Sequence, residues 1–193
     1  MILTKEIFNN LNGKASSAFN ECEISTYLEI GIREGTTFKI RAPLVSKKSI
    51  AIDCWDLFET PSQNDMGRTK KVASTQYQQL QNNYVNRTDV EVIRAFSNDT
   101  NVINKFNDGY FDLIFIDGDH SYDGVNEDLN NWWPKCNTLF CGHDYMLTKT
   151  IWNGVACGVK QAVDEFVEEK KNEIHMFRVN SESSNPTWFI WKK

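Results

Sequence analysis

The chain has 193 residues, 40% of them hydrophobic and 24% charged, which is typical of a single globular domain over 1–193 and excludes a disordered or collagen-like protein. The net charge is −5 and no long basic run occurs, which argues against nucleic-acid binding. No apolar stretch is long enough to span a membrane, no signal-peptide pattern opens the chain, and five scattered cysteines indicate free thiols. We therefore expect a cytoplasmic protein with no membrane partner.

Strand and helix patterns alternate along the chain. Apolar, β-branched runs predict strands at 24–30, 49–53, 90–95, 110–117, 138–141, 175–179 and 187–191. Helical spacing predicts helices at 4–11, within 36–44, and at 75–84, 124–133 and 159–167. Residues 57–74 lack apolar periodicity and predict a long loop. Trp132 and Trp133 are expected in the core.

This order of elements indicates an α/β fold. The run over 110–117 is almost continuously apolar, which predicts a central strand buried on both faces of a parallel sheet. The last two strands are joined by a short polar loop and predict an antiparallel hairpin. The sequence therefore predicts a doubly wound, mostly parallel sheet with one antiparallel strand at or near an edge.

In such a sheet, ligands bind beyond the carboxyl ends of the strands. The first strand is followed by Gly31 and Gly35, which allow the backbone to turn tightly and approach a ligand. Arg33 occupies the position of the second glycine of the dinucleotide fingerprint, which argues against NAD and FAD. Asp53 follows Gly31 at about the 20-residue spacing of a ribose-binding carboxylate. Ser97, after the third strand, is a candidate contact for adenine.

Two polar clusters follow the fourth and fifth strands. The first contains Asp117, Asp119 and His120, and the second contains His143 and Asp144. Because these strands are expected to be neighbours, the two clusters are expected to lie side by side. Carboxylates with one imidazole suit Mg²⁺ or Mn²⁺ better than zinc.

Four segments together resemble the class I S-adenosylmethionine-dependent methyltransferases: YLEIGIREGTT at 27–37, ID at 52–53, FDLIFIDGDHSY at 111–122 and GHDY at 142–145. Within that superfamily, residues 24–191 are similar to methyltransferase family 24, which groups small-molecule and sugar O-methyltransferases with macrocin-type relatives. The resemblance implies a Rossmann-like, seven-stranded sheet whose C-terminal hairpin reverses one strand. It also implies S-adenosylmethionine as the cofactor.

The resemblance further implies roles for individual residues. The implied cofactor contacts are Glu29, Gly31, Ile32, Gly35, Thr36, Thr37, Asp53, Ser97 and Asp117. Asp117, His143 and Asp144 match the positions that bind Mg²⁺ in metal-dependent relatives, although those relatives carry two acids where this chain has His143 and Asp144. Asp119 matches the proposed general base. Lys135, Cys136 and Asn137 replace the usual Pro-Gly-Gly turn.

The expected reaction is O-methylation of a small-molecule or sugar acceptor, with Asp117, Asp119 and His120 as catalytic residues. A cation on Asp117 and Asp144 would activate the hydroxyl, while Asp119 or His120 takes its proton. Tyr145 and Trp152 are candidate walls for a ring-shaped substrate. The alternatives are a metal-independent methyltransferase with His120 or His143 as base, a nucleotide-dependent oxidoreductase, and a non-catalytic binding protein. A homodimer is left open.

Overall fold

The computed structural model describes residues 24–59, 68–145, 151–152, 155–180 and 186–193. The predicted helix over 4–11 lies outside these residues. Among the described residues, no helix has the length and apolar content that a membrane span requires. In this part of the chain, three cysteines are free thiols, as their scattered positions predict: Cys136, Cys141 and Cys157.

The described residues form one large sheet, a separate two-stranded pair and the helices around them. The strands are β1 (Thr26–Ile30), β2 (Lys48–Asp53), β3 (Val90–Arg94), β4 (Phe111–Ile116), β5 (Cys136–Gly142), β6 (Ile151–Trp152), β7 (Val155–Ala156), β8 (Ile174–Asn180) and β9 (Thr187–Lys192). The helices are α1 (Thr36–Arg41), α2 (Lys70–Tyr84), α3 (Thr100–Ile103), α4 (Tyr122–Trp132) and α5 (Val159–Glu169), and a 3-10 turn over Ala42–Leu44 follows α1.

The large sheet has seven strands in the order β3-β2-β1-β4-β5-β9-β8. β1 to β5 pair in parallel, whereas β9 runs antiparallel to both β5 and β8. The chain starts at β1 in the middle, winds outward to β3, and returns to β4 on the other side, which is a doubly wound topology. The predicted fold class is confirmed, and β9 is the reversed strand next to the edge.

α2 begins earlier than the sequence pattern predicts. The prediction placed a loop up to residue 74, but the helix starts at Lys70. Thr69 caps it, because its hydroxyl accepts a hydrogen bond from the Val72 amide at 3.2 Å and satisfies a free donor of the first turn. Since the buried residues of this helix are Ala73 and Leu80, its apolar pattern is too sparse to mark its beginning.

Helices cover both faces of the sheet. α3, α4 and α5 pack on one face, where Leu129 and Trp132 are fully buried, and α1 and α2 pack on the other, where Phe38 and Leu80 are fully buried. Side chains alternate between the faces along each strand, so every central strand contributes to both cores. Trp132 and Trp133 are buried in the core, as predicted.

The register of the parallel strands brings their carboxyl ends to one level. Ile30 of β1 pairs with Ile52 of β2 and with Ile116 of β4, and Ile116 pairs with Gly142 of β5. The residues that follow these strands therefore leave the sheet side by side. We call this region the carboxyl edge.

Candidate functional site

The glycine loop, residues 31–35, turns over the end of β4. Gly31 and Gly35 have φ of 83° and 73°, in the left-handed region that residues with a side chain rarely adopt. At Gly31 a side chain also lacks room, because a Cβ atom there would lie 2.0 Å from the Asp117 carbonyl oxygen. The backbone of the loop is therefore in direct contact with the first residue of the acidic cluster.

Asp53 anchors the glycine loop from the end of β2. One carboxylate oxygen accepts hydrogen bonds from the amides of Ile32 at 2.9 Å and Arg33 at 2.7 Å, and the other accepts one from the Trp55 amide at 2.5 Å. Arg68 lies 3.9 Å from this second oxygen. Asp53 therefore fixes the loop, while its predicted contact with a ribose stays a prediction.

Glu29 and Thr37 meet in a buried network beneath the loop. Glu29 is fully buried, and its carboxylate accepts hydrogen bonds from the hydroxyls of Thr37 and Tyr27 and pairs with Arg41 at 3.3 Å. Burial raises the pKa of Glu29, and the Arg41 guanidinium opposes that shift. Because both oxygens have internal partners, this geometry gives Glu29 a role in holding α1. Its predicted contact with the cofactor stays a prediction. Ile32 is buried, and Thr36 is exposed at the start of α1.

Asp117, His120 and Asp144 converge at the carboxyl edge between β4 and β5. One donor atom from each lies within 4.8 Å of the other two. His120 Nε2 is 3.0 Å from Asp144 Oδ2 and 3.4 Å from Asp117 Oδ1. His143 Nδ1 is 3.4 Å from Asp144 Oδ2 and 3.8 Å from Asp117 Oδ1. The two predicted clusters therefore form one group, in which His120 lies closer to the carboxylates than the predicted ligand His143.

The charges in this group are set by its hydrogen bonds. Burial alone would raise the pKa of Asp144, but hydrogen bonds from His120 and His143 outweigh burial and hold its pKa well below the ordinary range. Burial alone would lower the pKa of His143, but Asp144 and Asp117 raise it. Asp144 is consequently a carboxylate at neutral pH, as a cation ligand must be.

Asp119 does not join this group. It is exposed, and its Oδ1 accepts a hydrogen bond from the Ser121 amide at 2.8 Å, just before α4 begins. It packs against Gly124, where a Cβ atom would lie 2.5 Å from its carboxyl carbon. The structure thus gives Asp119 a position at the entrance to α4, and its predicted role as general base stays a prediction.

Asp128 is a site residue that the sequence analysis missed. It lies on the apolar face of α4 and is 2% exposed, and the Ser97 side chain lowers its pKa against the larger, opposite effect of burial. Trp132 Nε1 donates to the Ser97 carbonyl oxygen at 3.1 Å, so α4 holds the turn that contains Ser97. The sequence does contain a signal for Asp128: it is a carboxylate on the same helix face as Val125, Leu129 and Trp132, and acids are rarely buried without a partner.

Asp128 should make the stability of the protein depend on pH. Burial raises its pKa from 3.8 to about 7, with smaller contributions from Asp119 and Glu127. The folded protein therefore keeps a proton that the unfolded chain loses above about pH 4, and stability falls as the pH rises toward 7. Relative to Asp128→Asn, wild type should lose roughly 2 kcal/mol of unfolding free energy between pH 5 and pH 7, because the slope of about 1.4 kcal/mol per unit halves at the folded-state pKa.

Urea denaturation of both proteins at pH 5, 7 and 8.5 measures this difference. The difference should stop changing above about pH 8, where Asp128 is ionised in both states. A difference between the two proteins that is constant across all three pH values would show that Asp128 is ionised throughout.

Of the two candidate walls of a substrate site, Tyr145 and Trp152, the structure describes the side chain of Tyr145. The Tyr145 hydroxyl donates a hydrogen bond to Asp164, and its ring packs against Phe177 at 6.0 Å. Trp152 lies in β6, and its side chain is outside the described part of the chain.

Trp188 is a further residue at this edge that the sequence analysis missed. Its indole Nε1 is buried, has no hydrogen-bond partner among the described residues, and lines a small cavity with Asp117 and His143. Such a group can donate to a bound oxygen.

The family model for a methyltransferase domain matches residues 28–145. The match covers more than half of the chain and includes the glycine loop, Asp53, Ser97 and the group formed by Asp117, His120 and Asp144. A search of curated protein sequences gives no match.

Solved structures share the fold at low identity. A protein from Corynebacterium glutamicum has a TM-score of 0.62 and 14% identity, covering 97% of this chain and 81% of that one. The O-methyltransferase NovP has a TM-score of 0.60 and 14% identity, with coverage of 88% and 72%. The carbon methyltransferase of CurJ has a TM-score of 0.57 and 10% identity, with coverage of 93% and 51%. Because oxygen and carbon methyltransferases both have this fold, the fold does not determine the acceptor atom.

Proposed function

Because this chain belongs to methyltransferase family 24 of the class I S-adenosylmethionine-dependent methyltransferases, we propose that it methylates a hydroxyl oxygen of a small molecule or sugar with the help of a divalent cation. The observation that carries this proposal is the convergence of Asp117, His120 and Asp144 directly beside the glycine loop. A methyl donor on the loop and an acceptor at these carboxylates would be neighbours.

The residues along the carboxyl edge fit S-adenosylmethionine. A bound S-adenosylmethionine supplies an electrophilic sulfonium methyl group. Gly31 lets the backbone of the glycine loop pack directly on the Asp117 carbonyl oxygen, which a Cβ atom there would approach to 2.0 Å. Asp53 Oδ1 accepts one amide hydrogen bond, which leaves it a lone pair for a ribose hydroxyl. Ser97, in the turn after β3, faces the adenine end of such a ligand in this proposal.

The group of two carboxylates and an imidazole also fits a divalent cation. Asp117 and Asp144 offer the hard oxygen ligands that Mg²⁺ and Mn²⁺ prefer, and His120 adds a nitrogen. A bound cation lowers the pKa of a coordinated hydroxyl and fixes its position. Asp144 is already ionised by its histidine partners, so the site needs no proton release from this residue.

The hydroxyl group that accepts the methyl must also lose its proton. His143 is 22% exposed beside Asp144, and Asp119 is exposed just before α4. Either side chain can therefore take the hydroxyl proton on the side of the cluster that faces the solvent. Orientation of the hydroxyl in line with the methyl group would supply a large part of the rate.

One observation favours a second candidate, a methyltransferase without a metal. His120 Nε2 lies 3.0 Å from Asp144 Oδ2, which is the arrangement of an imidazole base oriented by a carboxylate. In this mechanism His120 takes the hydroxyl proton directly, and Asp144 stabilises the resulting imidazolium.

Removal of divalent cations distinguishes the two candidates. The assay uses methyl-labelled S-adenosylmethionine and a panel of sugars, catechols and other hydroxylated small molecules, with either Mg²⁺ or EDTA. We expect EDTA to lower methyl transfer at least about 100-fold, because a metal ion contributes several kcal/mol at the reacting centre, and added Mg²⁺ or Mn²⁺ to restore it. Full activity in EDTA would favour the His120 mechanism, and labelling of carbon or nitrogen alone would contradict O-methylation.

A further inference from the structure

Asp144 has an uncommon backbone conformation at the centre of the cluster. Its φ of 53° lies in the left-handed region, which residues with a side chain rarely adopt. Asp144 is also the carboxylate that both His120 and His143 contact, and it is 4% exposed. Because such a conformation persists only where the surrounding structure holds it, the contacts of the neighbouring residues determine where this carboxylate lies.

Backbone hydrogen bonds restrain the chain on both sides of Asp144. Before it, the His143 amide donates to the Ile116 carbonyl oxygen at the end of β4, at 3.0 Å. After it, the Tyr145 amide donates to the carbonyl oxygen of Pro186, the residue before β9, at 2.9 Å. Both bonds therefore tie this segment to the large sheet.

The Tyr145 side chain ties the same segment to helix α5. Its hydroxyl donates a hydrogen bond to Asp164, and Lys160, one turn earlier on the helix, forms an ion pair with the same carboxylate. Lys160 Nζ also lies 4.9 Å from the centre of the Tyr145 ring, and Phe177 packs against that ring at 6.0 Å. The Tyr145 hydroxyl therefore has a defined acceptor on α5, and a second partner restrains that acceptor.

The loop after β4, which carries His120, is connected to α5 in a similar way. Tyr122 follows His120 by two residues, and its hydroxyl donates to Glu165 at 2.6 Å. The amide of Gly158, directly before α5, donates to the His120 carbonyl oxygen at 2.8 Å. Helix α5 and the residue before it therefore contact both loops that supply the cluster, the one after β4 and the one after β5.

We propose that Tyr145 is a positioning residue that holds Asp144, through the hydrogen bond to Asp164, in the conformation that binds a divalent cation. The inference rests on the proposed function, in which Asp144 is a cation ligand. Tyr122 differs from Tyr145 in one respect: it is the first residue of α4, so its backbone belongs to a helix, whereas Tyr145 belongs to no helix or strand. Loss of the Tyr145 hydroxyl should therefore weaken the cation site, whereas loss of the Tyr122 hydroxyl should not.

The test measures Mn²⁺ affinity by electron paramagnetic resonance in wild type, Tyr145→Phe and Tyr122→Phe. Phenylalanine keeps the ring of Tyr145, with its contact to Phe177, and removes the hydroxyl. We expect Tyr145→Phe to weaken Mn²⁺ binding about 10-fold, the lower end of the effect of removing a group that orients a metal ligand. Tyr122→Phe is the matched control and should stay within about twofold of wild type. Affinity for S-adenosylhomocysteine should be equal in all three proteins.

A second variant removes the same hydrogen bond from the side of α5. Asp164→Ala deletes the acceptor, and because the Asp164 side chain is 42% exposed, the fold should tolerate the change. If both residues act through one hydrogen bond, Asp164→Ala should also weaken Mn²⁺ binding about 10-fold, and the double variant should bind no more weakly than either single variant.

Two results would overturn this inference and leave the proposed function intact. One is wild-type Mn²⁺ affinity in both Tyr145→Phe and Asp164→Ala, and the other is an equal loss of affinity in Tyr145→Phe and Tyr122→Phe. A wild type that binds no Mn²⁺ would overturn the cation-dependent function together with the inference.

Discussion

Replacing Asp144 by asparagine is expected to lower methyl transfer by at least about 100-fold, because a lost cation ligand removes several kcal/mol of stabilisation from the reacting centre. Asp144 is 4% exposed and is the carboxylate that both His120 and His143 contact. The asparagine side chain keeps the shape of the aspartate but loses its charge. Affinity for S-adenosylhomocysteine should change little, because Asp144 is not among the predicted cofactor contacts.

The measurement is a set of initial rates at saturating S-adenosylmethionine over a range of Mg²⁺ concentrations, with Mn²⁺ binding followed by electron paramagnetic resonance. Asp123→Asn is the matched control, because it removes an exposed acid in the first turn of α4 that is not part of the cluster. Asp144→Asn should lose Mn²⁺ binding, and the control should retain it. An Asp144→Asn enzyme with unchanged Mg²⁺ dependence would contradict the assignment of Asp144 as a ligand.

Gly31→Ala is expected to have the second large effect, on both stability and cofactor binding. A Cβ atom at this position would meet the Asp117 carbonyl oxygen at 2.0 Å, and the atoms it meets are backbone atoms that cannot rotate away. The left-handed backbone adds roughly 1 kcal/mol and the overlap about 1 to 3 kcal/mol more. We expect the melting temperature to fall by about 10 °C and binding of S-adenosylhomocysteine to be lost.

The variant Gly109→Ala separates the effect of backbone strain from the effect of steric overlap. Gly109 also has a positive φ, of 67°, but a Cβ atom there would lie 3.9 Å from its nearest neighbour, the Asn137 side chain. This variant should therefore lose only the roughly 1 kcal/mol of backbone strain and keep its affinity for S-adenosylhomocysteine. Equal melting temperatures and equal affinities for the two variants would show that the contact between Gly31 and Asp117 has no special importance.

The sheet could be predicted from the sequence because its strands are short apolar runs with clear ends. The continuous apolar run before Asp117 marks β4 as central, and the parallel register then places Gly31, Asp53, Asp117 and Gly142 at one edge. The start of α2 could not be predicted in the same way. The helix buries few apolar side chains, and no apolar periodicity follows its cap, Thr69.

The detailed arrangement of the site depends on turns that the sequence pattern does not describe. Asp117, Asp119 and His120 follow one another closely, but the turn into α4 directs Asp119 to the Ser121 amide and His120 to Asp144. The approach of Ser97 to Asp128 could not be predicted either, because Ser97 lies in the turn after β3, far from α4 in the sequence. Tertiary contacts therefore decide which polar residues meet, whereas the pattern predicts which edge they share.

Calorimetric titration with S-adenosylhomocysteine, with and without Mg²⁺ and with NADH as the control ligand, shows whether the carboxyl edge binds an S-adenosyl cofactor. We predict micromolar binding of S-adenosylhomocysteine, about −8 kcal/mol, without a requirement for Mg²⁺, and no binding of NADH. Absence of S-adenosylhomocysteine binding, or a preference for NADH, would contradict the assignment of the glycine loop and Asp53 to this cofactor.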